Sequence, residues 1–212
     1  MIRFFKVSAA LALVAALGAC SSSGSATRAA MPDDTMLGGY VQTGYALDSF
    51  TVSVPKSLKV NERNRYYPRG DIVWRGDRLG DRHKQVGAIF ETSLANAALQ
   101  IAGTRAVRMD VQVLRFHGLS EKARYTIGGV HDIDFQYRLV DSVTGQQLTP
   151  VRVVRADLEA LSGMAATEAE ARGDTQKARI IAHLTQVFIN EMTQPGGHQN
   201  ANLGWLQRIN DM

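Results

Sequence analysis

One cysteine, Cys20, is all that 212 residues provide, so no disulfide can form within the chain and its stability must come from packing. The five histidines, His83, His117, His131, His183 and His198, show no HExxH spacing, which removes the commonest sequence sign of a catalytic zinc site. The glycine pairs Gly38-Gly39 and Gly128-Gly129 lack the strand-turn-helix context of a phosphate loop and read as turns. No segment repeats. Apolar runs are short as well. The longest, VSAALALVAALGA at residues 7–19, falls below the roughly 20 residues that a comfortable membrane-spanning helix requires.

That run nonetheless has a clear reading. Arg3 and Lys6 precede it, and Leu17-Gly18-Ala19-Cys20 follows, giving the order of a bacterial export signal: basic start, apolar middle, small residues before a cleavage point. The tetrad LGAC resembles a lipobox, the processing site of bacterial lipoproteins. The resemblance implies a diacylglyceryl group on the Cys20 thiol, cleavage before Cys20, and acylation (commonly palmitate) of the new amino terminus. One buried acyl chain contributes about 0.8 kcal/mol per methylene and holds a protein only marginally, whereas two or more hold it stably. Ser21 stands where lipoproteins retained at the inner membrane often carry Asp, so the same resemblance implies the periplasmic face of the outer membrane.

Removing residues 1–19 takes Arg3 and Lys6 with it, leaving 22 cationic residues against 20 carboxylates in 193 residues. A near-neutral chain does not call for nucleic acid, despite the sequence pI of about 9.4. Residues 20–46 are small, polar and glycine-containing, and read as a flexible leash. A single domain is expected over 47–193, of a length sufficient to bury one core, with a tail over 194–212 anchored by Trp205 and Leu206.

Within the domain, Phe50, Val52 and Val54 alternate with Thr51 and Ser53, predicting a strand that Pro55 ends. The charged stretch 55–80 reads as a long ordered loop with a short extended piece at 72–74. Val86, Ile89, Phe90, Leu94, Ala97, Ala98 and Ile101 recur at helical spacing, predicting a helix over 81–102 stopped by Gly103. RAVRMDVQVLRFHG predicts a strand whose alternation slips at Leu114 to Phe116, the mark of a bulge. HDIDFQYRLVD predicts a second strand, joined to the first by a loop with an extended piece at 123–127. A hairpin turns at 141–145 and returns over 149–154, at an edge because Pro150 lacks a donor. LEALSGMAATEAEARGD is weakly patterned, so fraying is expected there. A second helix should run over 174–192 with Asp174 as its cap and Ile181, Leu184, Phe188 and Met192 as its stripe. The predicted fold class is α+β: a two-layer sandwich, with a mainly antiparallel sheet of about four strands and two amphipathic helices on one face.

Chemistry is sparse. His117, His131 and Asp132 can be assembled as a metal or acid–base cluster, and Asp110, Asp132 and Asp134 as paired carboxylates, but solvated strand-end positions and alternation on a wet strand face explain them without chemistry. The expectation is a non-enzyme with no catalytic residues, no metal and no cofactor. Trp74, among Arg75, Asp77, Arg78 and Asp81, has the form of an interface anchor or of a lid on the core. Tyr66, Tyr67 and Arg69 belong to the same candidate surface.

DIVWRGDRLGDRHKQVGAIFETSLANAAL, RMDVQVLRFHG, DIDFQYRLVDSVTGQQL and the helix around RIIAHLTQVFINEM together resemble the auxiliary lipoproteins of bacterial ABC-type lipid transport systems, including the lipoprotein partner of the paraquat-inducible system and Mla-like systems. The resemblance covers residues 48–193; the stretch between Pro55 and Gly80 and the tail beyond Pro195 depart from it. It implies a membrane-tethered, non-catalytic auxiliary or adaptor component, with an ABC-type or lipid-shuttle envelope complex as partner and Trp74, Arg75, Arg78, Tyr66 and Tyr67 as contact residues. Two other readings stay open at this point: a periplasmic small-ligand or lipid-binding module with a groove between helices and sheet, and an enzyme acting on envelope polymers.

Overall fold

The fold is built on two long strands, β5 (Arg105–His117) and β6 (Gly129–Asp141), which pair antiparallel along nearly their whole length. The computed structural model describes residues 41–42 and 44–204; Cys20, most of the leash, and Trp205 and Leu206 lie outside the described residues. Before β5 come β1 (Val41–Gln42), β2 (Tyr45–Ser53), β3 (Ile72–Val73), α1 (Arg82–Ala98) and β4 (Ile101–Ala102). The short helix α2 (Glu121–Arg124) separates β5 from β6. The chain continues through β7 (Arg152–Arg155), β8 (Leu158–Ala160), α3 (Gly163–Ala171) and α4 (Gln176–Thr193).

The β5–β6 ribbon is extended on both edges. On the β5 side, β2 and then β3 run parallel to it, Phe50 opposite Met109 and Ile72 opposite Phe116. On the β6 side, β7 and β8 run antiparallel, Val154 opposite Phe135 and Leu158 opposite His131. The six-stranded sheet is therefore mixed, not the mainly antiparallel sheet of about four strands that alternation predicts. The reason lies in α1: a helix between the first strand and β5 is a crossover, and a crossover returns the chain parallel. Polar alternation reports that one face is wet; it carries no information about strand direction.

Helices α1 and α4 cover one face. Directly opposed residues on the ribbon share a side, so Met109, Val111, Val113 and Phe116 line up with Leu139, Tyr137, Phe135 and Ile133 beneath the helices. The register shift between Val113 and Arg115 is the bulge expected near Leu114, and it keeps Phe116 on the buried side. Phe90 of α1 is the hub: its ring meets those of Phe116, Phe135 and Phe188 edge-on at centroid distances of 6.3, 5.6 and 6.2 Å. The helices approach closely at small residues, where the Ser93 hydroxyl donates to the carbonyl of Ile181 and the Thr185 hydroxyl to that of Ser93.

Several boundaries move from their expected places. Val41–Gln42 and Tyr45–Ala46, assigned by composition to the leash, are strand, because Val41 and Gln42 pair with Ile101 and Ala102. That pairing also ends α1 at Ala98, ahead of Gly103. The connection after β5 is a helical turn capped by the Ser120 hydroxyl, not an extended piece at 123–127. The weakly patterned stretch after β7 is ordered as β8 and α3, with Ala160, Ala166 and Ala169 buried. Thr175, not Asp174, caps α4, accepting from the Ala178 amide.

The segment after α4 is held by Glu191. Its fully buried carboxylate accepts from the Tyr137 hydroxyl at 2.7 Å, from Arg152 at 2.8 Å and from the His198 amide at 2.7 Å, clasping α4, β6, β7 and the following residues together. Replacing Phe90 by Ala should cost about 3–5 kcal/mol of unfolding free energy through the void left at the hub. Val153→Ser, on an exposed position of β7, should stay within about 0.5 kcal/mol of the parent. Urea denaturation of the two variants makes the comparison.

Candidate functional site

The charged stretch between Pro55 and Gly80 closes one end of the sheet. Trp74, directly after β3, is 1% exposed and packs edge-on against Phe116 at 5.4 Å. Its Nε1 donates to the Asp77 carboxylate at 2.8 Å. A Cβ on Gly76 would come within 2.4 Å of the indole, so only glycine fits there. Trp74 is thus the lid on the core and offers no face to a partner, which corrects its reading as an exposed anchor. A tryptophan amid charges serves either role in sequence; here the charges pair with each other around the ring.

Those pairs form a continuous network. Arg82, 3% exposed, places its guanidinium on Glu62 at 2.6 Å and donates to the carbonyls of Asp77 and Arg78. Glu62 also accepts from Arg75 at 2.8 Å, and the Arg82 hydrogen bond holds its carboxyl below the usual range. Asp77 accepts from Lys177 of α4 at 2.8 Å. Partial burial pushes the Asp77 carboxyl up, but hydrogen bonds from Lys177 and Trp74 outweigh it and leave it lowered. Arg75 is accordingly committed to the network, whereas Arg78 is exposed with its carbonyl engaged.

Tyr66 and Tyr67 sit apart from Trp74, on an outward loop spanning 61–69. Asn61 Nδ2 closes its neck onto the Arg69 carbonyl, and buried Pro68 turns its carbonyl to His117 Nε2 at 2.8 Å. Burial lowers His117 to about 4, so the ring is neutral at physiological pH and Nε2 carries the donated proton. The loop rests on α2: the Ser120 hydroxyl donates to the Arg65 carbonyl at 2.5 Å, the Lys122 amide to Asn64 Oδ1 at 2.7 Å, and the Lys122 ammonium stands 4.5 Å from the Tyr66 ring centroid. Of the five expected contact residues, Tyr66, Tyr67 and Arg78 are exposed, Arg75 is partly buried in an ion pair, and Trp74 is inside. Lys122 escaped the sequence reading; the Ser120-Glu121 start of α2 was its only signal.

The candidate histidine and carboxylate groupings separate. His131 faces the helical layer, is 1% exposed and is lowered to about 3 by burial, while Asp132 lies on the opposite face across from His117. Asp110 is held by Arg108 at 2.8 Å, Arg138 at 3.2 Å and the Thr51 hydroxyl at 2.9 Å. Asp132, Asp134 and Asp157 each bring a carboxylate oxygen within 4.8 Å of the others, the one such grouping among the described residues. Arg115, 2.5 Å from Asp132, and Arg155, 3.8 Å from Asp134, supply compensating charge. The open face of the sheet carries a shallow polar concavity lined by Thr51, Arg108, Asp110, Gln112, Gln136 and Arg138. Between sheet and helices the space is filled by Phe90, Phe135 and Phe188.

These features define a mixed α/β domain with one covered sheet face and a capped end. The chain belongs to the family of unknown function DUF6778, whose family model matches residues 45–208. No curated protein matches it in sequence. Among solved structures it is similar to a Xanthomonas campestris protein assigned to the family DUF330, at 11% identity and a TM-score of 0.38, over 70% of this chain and 83% of that one. A Caulobacter crescentus protein described as a proposed lipoprotein is similar at 13% identity and a TM-score of 0.32, over 68% and 87%. An uncharacterised protein is similar at 15% identity and a TM-score of 0.31, over 71% and 89%.

Burial, and then the neighbouring Asp132 charge, push the Asp134 carboxyl up to about 6 from 3.8. The folded chain therefore holds an extra proton between those values, and stability falls as pH rises through that window. Asp134→Asn should stabilise the protein by on the order of 1 kcal/mol at pH 7.5, after allowance for partial solvation, and the gain should vanish near pH 4. Thermal melts at the two pH values check this.

Proposed function

We propose that the chain is a lipid-anchored, non-catalytic envelope protein that acts through its surface, as an auxiliary or adaptor component of a lipid transport assembly at the periplasmic face of the outer membrane. The observation that carries this is LGAC at 17–20 behind a basic start and a short apolar run. Among the described residues no helix is long and apolar enough to cross a membrane, which is compatible with an acylated Cys20 as the means of attachment. A filled core supports action by contact rather than by enclosing a ligand between sheet and helices. In this reading the exposed members of the contact set are Tyr66, Tyr67 and Arg78, and the tether raises their effective concentration near a membrane-resident partner.

The test is the intact mass of the protein extracted from cell envelopes, with crosslinking in whole cells to identify its neighbours. Loss of residues 1–19 and a mass increment for a multiply acylated Cys20 are expected, with a lipid transport component among the crosslinked species. Cys20→Ser should abolish the increment and block processing. A cleaved chain with an unmodified Cys20 sulfur, free in the periplasmic fluid, would overturn the anchor, and neighbours unrelated to lipid transport would overturn the assembly.

A further inference from the structure

We propose that the 61–69 loop, together with Lys122, is a docking surface for anionic phospholipid headgroups. The inference rests on the anchored reading only for bringing a bilayer within reach. Three guanidinium groups, those of Arg63, Arg65 and Arg69, extend from exposed positions on this loop, and among the described residues none makes a side-chain hydrogen bond or ion pair. The Lys122 ammonium stands over the Tyr66 ring rather than on a carboxylate. The nearby acids are already engaged. Glu62 is held by Arg82 and Arg75, Asp71 accepts from the Lys59 amide, and Glu121 faces Asn64 and Arg75. Four cations with no carboxylate bound to any of them among the described residues leave the surface net basic, which complements one of the opposite sign.

The tyrosines identify that surface further. Tyr66 is 39% and Tyr67 57% exposed, each presenting an apolar ring with a polar tip, the side-chain type that settles at headgroup depth. Protein interfaces also draw on tyrosine and arginine but are depleted of lysine, whereas a basic cluster that includes Lys122 beside interfacial aromatics suits an anionic bilayer. The loop is also preorganised, pinned by Asn61 to Arg69, Ser120 to Arg65 and His117 to Pro68, so little ordering entropy is lost on docking. From Cys20 to Val41, where β1 joins the domain, an extended chain reaches at most roughly 75 Å, ample for the loop to turn toward the membrane that holds the anchor.

The experiment places Tyr67→Cys, labelled with an environment-sensitive fluorophore, in the acylated full-length protein reconstituted into vesicles. Cys20 is then a thioether and takes no label. Vesicles of phosphatidylcholine alone and of phosphatidylcholine with phosphatidylglycerol hold the anchor equally, so any difference between them belongs to the loop. A blue shift and quenching by brominated lipid are expected only with phosphatidylglycerol. Arg63→Ala, Arg65→Ala and Arg69→Ala together should lower the docking equilibrium constant about a hundredfold, and salt of about 0.5 M should release the loop. Identical emission in both compositions, or emission insensitive to the arginine changes, would overturn the inference. So would a label that leaves water only when an envelope protein is added, which would assign the loop to a protein partner. If mass analysis finds Cys20 unacylated, the anchor reading fails separately, and the labelled chain carrying Cys20→Ser and Tyr67→Cys, produced without residues 1–19 and added from solution to the same vesicles, still decides the docking by the same two signals.

Discussion

One buried face of the β5–β6 ribbon organises everything else. Phe116 and Phe135 on the strands, Phe90 on α1 and Phe188 on α4 meet as a single group of rings, so neither helix can leave without exposing the other's contacts. Because helices cover only that side, the opposite side must satisfy water, and it does so with Thr51, Arg108, Asp110, Gln112, Gln136 and Arg138. Arg108 and Arg138 share the single carboxylate of Asp110 on this face, which leaves one positive charge over.

Two polar clasps close the ends of the layered core. At one, the Trp74 indole is sealed by Gly76 and by the Glu62–Arg82 and Asp77–Lys177 pairs, which join the long connection before α1 to α4. At the other, Glu191 gathers Tyr137, Arg152 and His198. The first clasp has a consequence for function: by consuming Glu62 and Asp77 internally, it leaves the cations of the 61–69 loop without these partners on the outside. A charge count near neutrality therefore hides a locally basic surface.

What the sequence made legible was periodicity. The alternation from Ile133 to Leu139, the slip near Leu114, the face of α1 around Phe90 and the hairpin at 141–145 all follow from local spacing and lie where spacing put them. Long-range pairing was not legible. Parallel β2 depends on the crossover through α1, and Ile101 leaves the helix for a strand because Val41, sixty residues earlier, pairs with it. Small residues misled in the same way: β8 and α3 bury alanines, whose weak pattern gives little signal in sequence, although β8 pairs directly with β6. Trp74 was ambiguous for a chemical reason, since an indole beside arginines and aspartates is equally suited to the surface and to a charged rim around the core. The tyrosines and arginines of the loop were visible as a candidate surface; their lack of counter-charges required knowing where Glu62 and Glu121 go.

The account's central claim is that the ribbon and its two helices form one cooperative unit through the phenylalanine cluster. Amide hydrogen exchange measured residue by residue tests it most directly. The central amides of β5, β6, α1 and α4 should share a single opening free energy equal to that of global unfolding. Exchange of α1 or α4 through its own lower-energy opening, while the sheet stayed protected, would contradict it.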